Sequence, residues 1–421
     1  MLWLLVVSMA GAMTLQEAVD GALDTSPTLD VAAAQVAQAE ARVREADAAL
    51  LPTATLSGGA VLQNEIEFSI ADQLPEQLFT LIDPEDITPM EVQPGFQLQA
   101  NATVTQPLVV PAVWSARKAS REGLSMTRAE ADAQRTQVIG LAVEAWHASA
   151  QAHALVDDAR RGVELAEHLV DKGEAMVEYG VAAPDQILPF RQALASARST
   201  LALVEEAART ADGVLEQVTG QPGPADPPVV PEEVPDLDAL LANLDRPDLR
   251  AAESRVRAAE ASLALTRSTR LPIVAATASA TLLEPEPAFG DQLNYRLMLG
   301  AQVPLFQGGA VSARVSGSAA TVDLARAGSR ALHEAAEVQV RAAHGGLATS
   351  MASLSELEEA VRLSREAVEA AEERMAEGGG SLLALQQAQA SQIAAEARLT
   401  RGRAAAARAS DALTLAVRGE L

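Results

Sequence analysis

The chain has 421 residues, only 3% of them Phe, Trp or Tyr, and it carries 57 acidic against 32 basic side chains. So few aromatics argue against bulky globular cores, and a net charge of −25 repels nucleic acid and keeps the surface soluble. There is no cysteine, which excludes disulfides, Cys-ligated zinc, thiol catalysis and lipidation of an N-terminal Cys.

In chain order, MLWLLVVSMAGAM has an apolar run from Leu2 to Ala10 and then Ala10-Gly11-Ala12, an A-x-A cleavage pattern. Residues 1–12 are expected to be a signal peptide, although no Lys or Arg precedes the run; a buried N-terminal segment is the alternative. The run is too short to span a bilayer as a helix. An Ala-rich helix is expected from about Thr14 to Leu50, with a break at Ser26-Pro27. LPTATLSGGAVL then leaves it through Leu-Pro into an uncharged strand. An acidic loop from Asn64 to Gly95 leads to FQLQANATVTQPL, where Phe96, Leu98, Ala100, Ala102 and Val104 alternate with Gln97, Gln99, Asn101, Thr103 and Thr105. That period of two marks a strand with unlike faces. A helix from about Ala112 to Met176 follows, then a turn at Tyr179–Asp185 and a helix to about Val218. A Pro- and Asp-rich connector, residues 231–246, resists long regular elements. The remainder reads as a helix from Pro247 to Leu271, strands in IVAATASATLL and YRLMLGAQVPL, a helix from Val311 to Glu377, a turn at Glu377–Ser381 and a helix to Val417.

The two halves repeat. SPTLDVAAAQVAQAEARVREADAALLP falls without gaps on RPDLRAAESRVRAAEASLALTRSTRLP, and PLVVPAVWSAR matches PLFQGGAVSAR in the same order. Residues 13–230 form one structural repeat and 247–421 the other, each a helix, two strands, a long helix, a turn and a helix. Heptad seams run through Val340, Leu347, Leu354, Val361, Val368 and Met375, and through Val138, Leu141, Ala145, Ala148, Ala152, Leu155 and Ala159. In each repeat the long helix, about 97 Å at 1.5 Å per residue in the first, roughly equals its two flanking helices together. The four strand windows, about ten residues each and almost free of charge, fit transmembrane β-strands. Soluble hairpins packed on helices are the alternative. Phe68, Phe96, Tyr295 and Phe306 are the candidates for an aromatic girdle.

No active site is evident. His147, His153, His168, His333 and His344 are scattered without metal-ligand spacing, the serines lack a G-x-S-x-G context, and Gly378-Gly379-Gly380-Ser381 lacks the Lys of a phosphate loop. No enzyme activity, cofactor or metal is expected.

The sequence resembles the TolC-like outer-membrane efflux protein family. TLQEAVDGALDTSPTL with its helix into LLP, RPDLRAAESRVRAAE, PLFQGG and EYGVAAPDQILPFRQALASARSTL carry the likeness, from Thr14 onward. The resemblance implies an α+β membrane protein. Three protomers would give four strands each to one twelve-stranded outer-membrane β-barrel, continuous with a periplasmic α-helical coiled-coil tunnel. It further implies a homotrimer in outer-membrane lipid, acting as the passive exit duct of a tripartite efflux or type I secretion system. Its partners would be a periplasmic adaptor and an inner-membrane pump of RND or ABC type. Four strands alone would leave open edges in lipid, which a closed trimer removes. The resemblance places adaptor docking at the two turns: Gly180, Val181, Ala182, Pro184 and Asp185 in one, Gly378, Gly379, Gly380 and Ser381 in the other. Relatives carry a D-V-L-D-A pattern after the second turn; matching its Leu to Leu385 makes Leu383 and Gln386 the constriction candidates. No acid occurs between Ser381 and Ala395, so an apolar constriction at Leu383 replaces the acidic ring. The net acidity predicts a cation-favouring lumen. A periplasmic coiled-coil adaptor or a soluble scaffold is the competing class. An adaptor has one helical hairpin where this chain has two in tandem, and a scaffold needs no charge-free strand pairs.

Overall fold

In the computed structural model the described residues are 12–68, 90–180, 183–285, 291–377, 379 and 381–420. The first half runs α1 (Leu15–Thr25), α2 (Pro27–Ala48), β1 (Thr53–Leu62), β2 (Ile66–Phe68), β3 (Met90–Gln93), β4 (Phe96–Val109), α3 (Pro111–Glu178) and, after a 3-10 turn at Pro184–Ile187, α4 (Leu188–Thr219). The second half runs α5 (Leu237–Ala242), α6 (Pro247–Ser268), β5 (Ile273–Glu284), β6 (Leu293–Gln302), α7 (Ala310–Ala376) and α8 (Leu382–Arg418). Residues 1–11 and most of the acidic loop lie outside the described residues, as do Val181, Ala182, Gly378 and Gly380 of the expected turns.

Both helix-to-strand passages are built alike. At the end of α2, Leu50 N–H donates to Asp47 O at 3.2 Å and Leu51 N–H to Ala48 O at 2.9 Å. After α6, Arg270 N–H donates to Arg267 O at 3.3 Å and Leu271 N–H to Ser268 O at 3.0 Å. Each helix tightens into three-residue spacing, and Pro52 or Pro272 then removes the next donor and forces extended backbone.

The chain forms two compact units, and each draws on both halves of the sequence. One takes the described residues of 37–125 and 255–325. It holds a four-stranded antiparallel sheet in the order β1-β4-β5-β6, with β1 and β6 as free edges. Thr53 pairs with Thr105, Thr103 with Ser279, and Ser279 with Arg296. The register of β4 on β5 shifts between Pro107 and Val109. Proline has no N–H for the ladder, so the strand bulges there. Strand β6 begins at Leu293, where it pairs with Leu282, and ends at Gln302 rather than the expected 305, because Pro304 cannot extend the ladder. The ribbon of β2 and β3 in the acidic loop was not expected.

The other unit takes the described residues of 1–36, 126–254 and 326–421 and is helical. Val340 and Leu347 on α7 are buried with Leu413 and Val417 of α8, and α5 lays Leu237, Leu240 and Leu241 on that cluster. Leu354 and Val361 continue the buried stripe, so the second seam stands as its heptads predict. The first seam needs correction. Leu141 and Ala148 are exposed, while Val138, Ile139, Ala142 and Val143 are buried against Val19 and Ala22 of α1. Helix α3 meets neighbours on a broader face than one heptad seam covers, which rotates Leu141 out of it. Met13 is buried beside this core. Its amide donates to Pro224 O at 2.8 Å, and its carbonyl accepts from Asp226 N–H at 2.9 Å and from Trp146 Nε1 at 2.7 Å.

Candidate functional site

The sheet is two-faced along most of its length. On one face stand Ala54, Leu56, Ala60 and Leu62 of β1, Phe96, Leu98, Ala100 and Val104 of β4, Ala276, Ala278, Ala280 and Leu282 of β5, and Leu293, Tyr295, Leu297 and Leu299 of β6. The register sets each of these against its like across the strands. Their side chains are largely uncovered, with Leu297 81% and Tyr295 88% exposed. A continuous apolar face of this size is a surface for lipid or for a partner, not for water. The other face carries Thr53, Thr55, Ser57, Gln97, Gln99, Asn101, Thr103, Thr105, Thr277, Ser279, Thr281, Asn294 and Arg296. It is stitched by side chains: Thr281 Oγ1 donates to Asn101 Oδ1 at 3.3 Å, and Ser57 Oγ to Asn101 O at 3.4 Å. Val61, Pro107, Ile273, Ala275, Leu283 and Met298 are the apolar exceptions on it. Arg296 is the one charged residue there, within a strand whose alternation from Leu293 to Gly300 already assigns it to the polar side. No helix among the described residues is long and apolar enough to cross a membrane.

The helical unit offers two turns. In the first, Tyr179 N–H donates to Ala175 O and Gly180 N–H to Val177 O, both at 3.0 Å, and Gly180 has φ +70°. Only glycine adopts that conformation without strain, so the residue type follows from the turn. Tyr179 is 82% exposed. Asp185 lies exposed in the 3-10 turn that Pro184 opens. In the second, Gly379 N–H donates to Arg374 O at 3.0 Å, and Ser381 caps α8 by accepting from Ala384 N–H at 3.1 Å.

Just beyond the turns the two helical hairpins interlock. Leu385, fully buried, packs with Leu169, Val170, Phe190 and Ala371. Gly173 permits the approach: a Cβ there would lie 3.2 Å from Ile187 Cγ1 and 3.5 Å from Leu382 Cδ2. Leu383 is 53% exposed. Gln386 instead reaches across to α4, where its Nε2 donates to Pro189 O at 3.4 Å. The two constriction candidates therefore have different surroundings: Leu383 is open, and Gln386 is held between the hairpins. Ion pairs lace the outer faces, among them Arg191 with Glu174 at 2.8 Å and Arg198 with Glu167 at 2.7 Å. Arg362 donates to both Glu359 and Glu366. Its hydrogen bond to Glu359 pulls that carboxyl below the ordinary range and, with the charge of both acids, raises the guanidinium.

Two histidines acquire carboxylates that sequence spacing did not suggest. His147 Nε2 lies 2.7 Å from Asp411 Oδ2, and His153 Nε2 2.8 Å from Asp212 Oδ2. Ser149 Oγ donates to the same Asp212 at 2.6 Å. Both the serine and the imidazole are turned to the carboxylate, so no base faces the hydroxyl and the arrangement is not that of a nucleophile. Among the described residues no group of three His, Asp or Glu side chains could hold a metal ion.

Residues 239–417 match the family model described as outer membrane efflux protein. No curated protein matches the chain. Among solved structures the chain is similar to CusC, at 15% identity and a TM-score of 0.80, with 98% of this chain and 93% of that chain covered. The outer membrane protein VceC of Vibrio cholerae follows at 19% identity and a TM-score of 0.77, covering 96% of this chain and 95% of that one. The CmeC outer membrane channel of Campylobacter jejuni is similar at 16% identity and a TM-score of 0.76, covering 96% and 85%. At these identities the structures establish the fold, along nearly the whole chain.

Proposed function

We propose that this chain, which carries an outer membrane efflux protein domain over residues 239–417 and an outer-membrane channel fold along nearly its whole length, is one protomer of an exit duct. It sits in the outer membrane and extends into the periplasm. The observation that carries this reading is the sheet: strongly two-faced and open at both β1 and β6. An open edge cannot stand in hydrocarbon. With β6 of one protomer on β1 of the next, antiparallel order continues around the ring. Three chains close a twelve-stranded barrel, with apolar side chains to lipid and Thr, Ser, Asn and Gln to water. Exposed Leu141, Leu203, Leu324 and Leu363 give neighbouring copies apolar helix surface to cover.

The helical unit serves as the protomer's share of the periplasmic tunnel. The two turns, with Gly180, Pro184 and Asp185 in one and Gly379 and Ser381 in the other, are the docking end for a periplasmic adaptor, itself coupled to an inner-membrane pump of RND or ABC type. Leu383 closes the pore there and Gln386 holds the closed hairpins together. Residues 1–12 act as the export signal. Removing them leaves Met13 as the first residue, its nitrogen still placed to donate to Pro224. Transport through the duct is passive, and the histidines are structural.

Fractionation of the native host tests the reading. The protein is expected in outer membranes, migrating as a trimer when unheated and as a monomer after boiling. A monodisperse soluble monomer, purified without detergent from the mature chain, would sink it.

A further inference from the structure

Resting on that channel reading, we propose that Arg296 builds an anion-attracting ring inside the barrel: three guanidinium groups, one per protomer, on the water-filled face of the sheet.

The first support is isolation. The four strands of the main sheet contain two charged residues, Glu284 and Arg296. Glu284 is the last residue of β5, opposite Leu98 on the apolar face, and it accepts a hydrogen bond from Gln292. Arg296 lies on the polar face, in one row with Ser279, Thr103 and Thr55. Its side chain is exposed and makes no hydrogen bond or ion pair with the described residues. In a chain with 25 more acids than bases, an arginine without a carboxylate among the described residues is the less expected outcome.

The second support is the seam. Strand β6 is an edge, so the strand that completes its pairing is β1 of the next protomer. The polar face of β1 offers Thr53, Thr55, Ser57 and Gly59, and no residue of β1 is charged. Closing the barrel therefore brings no acid from β1 to Arg296. Its own strand adds Asn294 and Met298 on the same side. The ring is a set of positive charges in a neutral, hydrogen-bonding wall.

A guanidinium stays charged at every physiological pH and takes carboxylate, sulfonate or phosphate oxygens in bidentate fashion. The ring enriches small anions and solutes bearing such groups as they leave through the barrel, and it works against the cation preference that net acidity predicts. Because the lumen is wet, its reach is about 10 Å at 0.1 M salt and about 3 Å at 1 M.

Trimers in planar bilayers under a potassium chloride gradient test this. Replacing Arg296→Gln is expected to raise the K+/Cl− permeability ratio about twofold at 0.1 M, and Arg296→Glu further, with both effects shrinking at 1 M. The chain has no cysteine, so Arg296→Cys supplies its sole thiol. In intact cells that thiol is expected to react with a hydrophilic, anionic thiol reagent entering from the medium, a readout that needs no open periplasmic end. Conducting trimers whose ratio is the same for Arg, Gln and Glu, or a Cys variant inert to the reagent in folded trimers, would overturn the ring and leave the channel standing. A wild-type protein that forms no membrane trimer would overturn the channel reading itself.

Discussion

Single side chains decide more at the hairpin end than the glycine-rich turns suggest. Leu385 is fully buried at the meeting of four helices. Truncation to Ala removes its packing and leaves a cavity, so Leu385→Ala is expected to cost about 2–5 kcal/mol, read as a lower temperature of trimer dissociation. Gly180 is different. Nothing lies within 4 Å of a Cβ built there, but φ is +70°. Gly180→Trp therefore brings about 1–2 kcal/mol of local strain, with open space around its Cβ. On the proposal that the adaptor docks at this turn, trimers are expected to persist in the membrane while export fails; undiminished export of the pump's substrate would argue against docking there. At the start of α1, Glu17 accepts from the Thr14 amide and hydroxyl, both at 2.9 Å, and these bonds hold its carboxyl below the ordinary range. The folded state therefore prefers the carboxylate. Its stabilisation is complete above the ordinary Glu range and is lost as pH falls through the lowered value. Glu17→Gln should remove that part of the acid sensitivity, which a pH series of thermal unfolding on the two proteins would show.

Among the elements, the strands test the assignment of faces. A charge at the centre of the lipid face costs about 2–4 kcal/mol, while the water-filled side tolerates one. Leu297→Arg is expected to lower the yield of folded barrel in lipid vesicles severely, and Thr103→Arg to leave it nearly intact. Equal loss for both would remove the distinction between the faces. This part of the fold was legible because it is written in a period of two. TATLSGGAVL spans β1 residue for residue, and FQLQANATVTQPL falls one residue short of β4. The same alternation marks Arg296, which a reading for charge-free windows passes over. The ribbon of β2 and β3 was not legible, since three and four residues in an acidic loop hold too little pattern. The placements of Gln386 and Gln389 were hidden for another reason. Both are polar, yet one bonds across to Pro189 and the other is buried on α8, and helix spacing alone does not say which polar residue meets another helix. The seam of α3 failed on the same ground, because a helix touched on several sides has no single stripe.

At the scale of the molecule, the duct reading requires three chains for any closed barrel. Unheated gel migration should collapse to the monomer in one step, with no stable dimer band, because a dimer leaves the same two open edges as the single chain. A ladder containing a persistent dimer would point to association through the helices instead. The central pair of the sheet has a further consequence in time. Strand β4 finds β5 only after the connector and α6 have been made, since Thr103 pairs with Ser279 in the opposite half of the chain. Bringing such distant partners together is slow, and until then the hairpin of β1 and β4 waits with an apolar face and an unpaired flank. Secretion therefore delivers a sticky half-product before it delivers anything able to enter a membrane. A polypeptide ended at residue 230 should be degraded or found in aggregates during export, whereas supplying residues 231–421 as a second exported chain should rescue both pieces into the outer membrane.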